Sequence, residues 1–160
     1  MSAILRAIHG RLHLCIGVLL LALMSSSCSY SDAATNAYAT RAEAESAGAI
    51  ERGWVPRGLP PGAYELREAH SLNSSRRWGL FNFEAADREA LRAVLLPDEI
   101  SLAGIRSEPP LRVEWWPLLL RRDPAPEQLE IAGLKAYRFK DEPIVIVVNW
   151  SQGRAYYWSV

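Results

Sequence analysis

The chain is poor in cysteine and histidine and carries no excess of either charge. Two cysteines and three histidines occur in 160 residues, and 18 basic side chains balance 18 acidic ones. Without a basic excess there is no electrostatic footprint for nucleic acid. Two cysteines cannot build a disulfide framework or a Cys-based zinc site. No apolar run reaches the roughly 20 residues that a bilayer-spanning helix needs. Neither a Gly-x-Ser-x-Gly elbow nor a glycine-rich phosphate loop occurs. What is abundant is tryptophan, at six residues, and proline, at ten.

The N-terminus carries the most informative pattern. A short basic lead with Arg6 and Arg11 precedes an eleven-residue apolar run, Leu14–Met24, and then Ser25-Ser26-Ser27-Cys28. Charged lead, apolar run and small residues are the layout of a secretory signal peptide. A cysteine directly after the small residues resembles a bacterial lipoprotein lipobox, in a relaxed form because Ser25 stands where a larger aliphatic residue is usual. The alternatives are ordinary cleavage near Ser27 or Ala34, or an uncleaved anchor. The lipobox resemblance makes Cys28 the lipidation site, and two or more acyl chains give stable membrane anchoring. Ser29 follows it, rather than the Asp used for inner-membrane retention, which favours the periplasmic face of the outer membrane.

Cleavage before Cys28 leaves 133 residues and removes Arg6 and Arg11 but no acid, so 16 basic side chains face 18 acidic ones. His9, His13 and Cys15 leave with the leader, so His70 is the remaining histidine and Cys28 the remaining thiol. That suits an oxidising periplasm. A single domain of this length buries an ordinary core without staples.

The organisation read from the sequence is a signal peptide over 1–27, a flexible tether over 28–39 and one α+β domain over 40–160. Small polar residues fill the tether. Thr40-Arg41-Ala42-Glu43 has capping-box spacing, predicting a helix to about Arg52 that ends at Gly53. Prolines and glycines forbid regular structure from Trp54 to Gly62, where Trp54, Val55 and Leu59 would pin the loop to the core. Tyr64–Leu72 and Arg76–Phe83 alternate as strands around the turn Asn73-Ser74-Ser75, a hairpin. Leu91, Val94 and Leu95 mark a helix over 86–96, stopped by Pro97. Between Asp98 and Pro126 prolines punctuate the chain, with a short strand expected before Pro117. A brief helix near Glu127–Ala132 precedes three β segments: Leu134–Lys140, the β-branched run Ile144–Val148, and Arg154–Val160. The expectation is an antiparallel sheet of about five strands with two or three helices packed on it and long Pro-rich loops.

Several residues between Glu51 and Phe83 carry a resemblance. They are Glu51-Arg52-Gly53-Trp54-Val55-Pro56, Leu59-Pro60, Arg67-Glu68-Ala69-His70, Arg77-Trp78 and Phe81-Asn82-Phe83. This pattern resembles the YbbD-head-like family of small bacterial head domains of unknown function. The family shows an Asp-Thr-Asn-like turn before the tryptophan; here the turn is Asn73-Ser74-Ser75. The resemblance implies a small α+β envelope domain and brings no reaction with it.

Two constellations could carry chemistry. Glu68 and His70 share a strand face about 7 Å apart, where a carboxylate could orient an imidazole that titrates near neutrality. Arg77 completes this candidate polar site; the plainer alternative is a polar network in which Glu68 or His70 bonds Arg76 or Arg77. No second histidine is available for a common zinc triad, and no metal or cofactor is implied. The second constellation is the tryptophans Trp54, Trp78, Trp115, Trp116, Trp150 and Trp158. Most belong in a core, but Trp115 and Trp116 cannot both face inward in an extended segment, so one of them marks a contact surface. Asn73-Ser74-Ser75 matches a glycosylation pattern that a bacterial lipoprotein signal makes coincidental. Arg121-Arg122 could touch anionic head groups, or be simply solvated.

These readings converge on a lipid-anchored envelope protein, a non-catalytic binding module whose loops over Val113–Arg122 meet an envelope protein or cell-wall glycan. The alternatives are an enzyme or metal-dependent site around Glu68 and His70, and an immunity or inhibitor protein for an envelope toxin.

Overall fold

The computed structural model describes residues 32–160, so the segment read as a signal peptide, Cys28 and the first residues read as a tether lie outside the described residues. Six antiparallel strands form one sheet: β1 (Ala33–Thr40), β2 (Tyr64–Ser71), β3 (Arg77–Asn82), β4 (Lys135–Arg138), β5 (Ile144–Asn149) and β6 (Arg154–Ser159). Their spatial order is β1-β2-β3-β6-β5-β4. Three short helices accompany them: α1 (Arg41–Ser46), α2 (Arg88–Ala93) and α3 (Pro126–Ile131).

The fold is therefore α+β as expected, with one strand more. The extra strand is β1, which occupies most of the segment read as a tether. Its sequence is small and polar, and Tyr38 is its one fully buried residue. Such a composition is shared by linkers and edge strands. Only its pairing with β2, from Ala33 opposite Ser71 to Thr40 opposite Tyr64, distinguishes the two.

Thr40 caps α1 as its spacing predicts: its hydroxyl accepts from the Glu43 amide, and the Glu43 carboxylate accepts from the Ala39 amide. The helix stops earlier than Arg52 because Gly48 takes a left-handed φ of 72°. Arg52 folds back, its guanidinium donating to the Ala47 carbonyl at the helix end. A Cβ on Gly48 would stand 2.8 Å from that guanidinium, so a side chain there is opposed twice.

Both faces of the sheet are apolar, and each has its own cover. On the first face Leu66, Phe81, Tyr157, Ile144, Ile146 and Val148 pack beneath α1, the 47–63 loop and α2 with Leu91. On the second, Ala69, Trp78, Trp158, Val145 and Val147 pack beneath Leu102, Val113, Trp116 and Leu120. Strand β5 lies between the two cores and is buried along its whole length, as its unbroken β-branched run requires.

The segment over Leu111–Leu120 contains no strand. Turns close from Val113 to Pro110, Trp116 to Val113 and Leu120 to Pro117, and Leu118–Arg121 is a 3-10 turn. Pro110 and Pro117 cannot donate to a ladder, and each instead opens a tight turn. The predicted 86–96 helix is shorter too: Leu95 leaves it to bridge Phe139. Leu96 and Ile100 then donate to Arg138 and Ala136, covering the outer edge of β4.

Candidate functional site

Parity along β2 divides its charged residues between the two faces. Leu66, Glu68 and His70 point to the first face and are buried; Arg67 points to the second and is exposed. Two rows of residues cross the whole sheet from these neighbours. On the first face the row is Asn36, Glu68, Gly79, Tyr157, Ile146 and Tyr137. On the second it is Ala37, Arg67, Leu80, Tyr156, Val147 and Ala136.

The first row holds a closed polar cluster. Glu68 has no exposed surface. Its carboxylate receives the Asn36 side-chain amide and lies 3.0 Å from His70 Nδ1. The His70 ring stacks on Trp54 at 3.8 Å between centroids and 6° between planes. Arg52 lies 4.2 Å over the Trp54 ring. Trp54 is held in turn by the Tyr157 hydroxyl, which donates to its carbonyl at 3.1 Å.

That last bond depends on Gly79. The Tyr157 ring crosses β3 where Gly79 has no side chain, and a Cβ there would fall 2.1 Å from Tyr157 Cζ. Glycine in a strand interior normally marks a close approach of this kind. Burial, with the Glu68 charge next in weight, holds the Tyr157 hydroxyl well above its ordinary pKa of 10.0. The same two causes, in the same order, raise Tyr38. Both phenols therefore remain neutral and add no negative charge beside Glu68.

Arg77 does not join this cluster. It pairs with Glu142 at 2.7 Å, and the other Glu142 oxygen accepts from the Arg57 amide. Arg76 also turns away, to Glu108 at 2.9 Å. The partners that complete Glu68 and His70 are Asn36, Trp54 and Arg52. With His70 only 8% exposed under Trp54 and Glu68 fully covered, the carboxylate has no face at which a substrate could reach it. Among the described residues no group of three His, Cys, Asp or Glu side chains could hold a metal ion.

The second row ends in an open groove of about 570 Å³. The 98–134 cover stops at Trp115, which is half-buried, while Trp116 is 2% exposed and packs edge-on to Trp158 and Tyr156. Trp115 and the half-buried Tyr156 line the groove together with Arg67, Glu65 and Arg154. The register slips between Tyr64 and Arg67, and Glu65 at this bulge takes a left-handed φ of 48°. Non-glycine residues held so cost roughly 1–3 kcal/mol and cluster at functional sites. Asn82 fixes two of the groove's charges: its amide donates to Glu65 at 2.6 Å, and its oxygen accepts from Arg154 at 2.7 Å. The Arg67 side chain has no hydrogen-bond or ion-pair partner among the described residues. Sequence reading had Arg67 only as part of a motif, and nothing local signalled Glu65 or Arg154.

Residues 32–82 match the family model of the YbbD head domain. The match takes in β1, α1, the loop, β2 and β3, and so contains Asn36, Arg52, Trp54, Glu68, His70 and Gly79. It begins earlier than the resemblance legible from Glu51 onward, because β1 belongs to the same unit. No curated protein and no solved structure matches the chain. Among the described residues no helix is long and apolar enough to cross a membrane.

Proposed function

We propose that this protein is a lipid-anchored module of the bacterial envelope, tethered through Cys28, that binds a ligand in the groove beside Trp115 and catalyses no reaction. The observation that carries the reading is the contrast between the two rows. On the first face the polar side chains satisfy one another: Glu68 takes Asn36 and His70, and Trp54 closes over them. On the second, the Arg67 guanidinium has no partner among the described residues and lies beside Trp115 and Tyr156. Aromatic faces with a few fixed polar groups are the make-up of binding sites. The lipobox pattern at Ser25–Cys28 supports the tether.

Two measurements test it. The intact mass of the protein from envelope fractions should match the chain from Cys28 plus acyl groups, and Cys28→Ala should lose the acyl mass; an unlipidated parent mass would overturn the tether. The unlipidated Cys28→Ala chain should co-sediment with isolated envelope fragments through the groove alone, and adding Trp115→Ala should abolish this. Sedimentation that is unaffected by Trp115→Ala would overturn the groove.

A further inference from the structure

Resting on that reading of the groove, we propose that its ligand is an acidic saccharide, a pyranose carrying a carboxylate. The groove offers three kinds of contact in one space. Trp115 and Tyr156 supply aromatic surface, which suits the apolar C–H face of a sugar ring and is costly to leave in water. Arg67 supplies a planar fork of donors with no partner among the described residues, and a carboxylate is the group that such a fork pairs with bidentately. Glu65 and Arg154 supply an acceptor and donors for hydroxyls, with Asn82 holding each of them through a single bond. Each therefore keeps further hydrogen-bonding capacity.

The shape fits the same class. The volume, about 570 Å³, lies within the roughly 300–1,000 Å³ of small-ligand pockets. Ala37, which pairs with Arg67, and Ala39 also line the groove, and their small side chains take up little of it. Glu65 shares its side of β2 with Arg67, as alternation about the buried Leu66 gives, and the bulge with its left-handed φ of 48° lies at this end of the groove. An acidic peptide would satisfy Arg67 equally. Its further carboxylates would face Glu65 and Glu43, both of which line the groove, whereas a ring with a single carboxylate offers them hydroxyl donors.

The test is saturation-transfer NMR on the full chain in mild detergent with three probes: the N-acetylglucosamine–N-acetylmuramic acid disaccharide, neutral chitobiose, and triglutamate. The acidic disaccharide should bind, and chitobiose should bind about tenfold more weakly, the factor expected of one charge-assisted pair. Arg67→Ala should remove that preference, Trp115→Ala should remove both signals, and Leu118→Ala, an exposed site outside the groove lining, should change neither. A circular-dichroism melt of each variant shows that the fold is kept. No transfer to the disaccharide, or transfer unchanged by Arg67→Ala and Trp115→Ala, would overturn the proposal, as would preferential binding of triglutamate. If the sugar fails while co-sedimentation still depends on Trp115, the ligand class is wrong and the groove reading stands. If co-sedimentation is also independent of Trp115, the groove reading falls with it.

Discussion

Glu68 and Arg67 are chain neighbours with opposite fates. Glu68 is fully buried in a network that closes over it, while Arg67 stands exposed at the floor of a groove. The sheet explains the difference: successive strand residues face opposite sides, and the two sides have covers of different extent. The 47–63 loop continues across the first face to place Trp54 on His70. The 98–134 segment reaches only to Trp115 on the second. A buried charge is tolerated only when its hydrogen bonds are complete, so the first face became a structural device. An exposed charge costs little to leave unpaired, so Arg67 needs no partner on the second face.

Gly79→Val gives the largest expected effect on this division. Its side chain would occupy the space of the Tyr157 ring, displacing Tyr157 from Trp54 and opening the closed face. We expect a loss of about 3 kcal/mol or more, about 10 °C in melting temperature, read by thermal denaturation. A variant that melts with the parent would show that Tyr157 is not locked in place. Trp54→Ala comes next, removing the lid over His70 and the seat of Arg52. About 2–3 kcal/mol should be lost, less than for a fully buried tryptophan.

Tyr157→Phe should cost about 1 kcal/mol, through the bond to the Trp54 carbonyl, and should change the alkaline limb of stability. The folded state holds this hydroxyl's pKa above the unfolded value of 10.0. Its contribution is therefore complete below pH 10, and it declines above that as the unfolded chain ionises first. Urea midpoints between pH 8 and pH 11 should fall more shallowly in Tyr157→Phe than in the parent; parallel curves would remove Tyr157 from the account. The smallest effect belongs to Trp115→Ala. With its half-exposed ring, we expect about 1 kcal/mol or less, alongside the complete loss of binding described above. A stability loss equal to that of Trp54→Ala would make Trp115 a core residue.

Much of the fold was legible because its signals are local. The β-branched run Ile144–Val148 has to be buried on both faces, and the spacing of Thr40 and Glu43 has to cap a helix. The alternation Leu66, Glu68, His70 correctly set a carboxylate and an imidazole side by side. Their partners were not legible, because Asn36 and Trp54 lie far away in the chain and meet them only once β1 is paired and the loop is folded over. Strand β1 itself was hidden by its linker-like composition. The Trp115-Trp116 pair was divided between surface and core, but by tight turns at Pro110 and Pro117 rather than by an extended strand. The groove was not legible for the same reason: Trp115, Asn82, Arg154 and Tyr156 lie far along the chain and meet Glu65 and Arg67 only in the folded sheet.

The most direct test of the division between faces compares two adjacent substitutions, Glu68→Ala and Arg67→Ala, by urea denaturation at pH 7. Glu68→Ala leaves Asn36 and His70 without their shared acceptor, and we expect a loss of about 3 kcal/mol. Arg67→Ala removes an exposed side chain with no partner among the described residues, and stability should stay within about 0.5 kcal/mol. Equal losses for the two, or a larger loss at Arg67, would contradict the account.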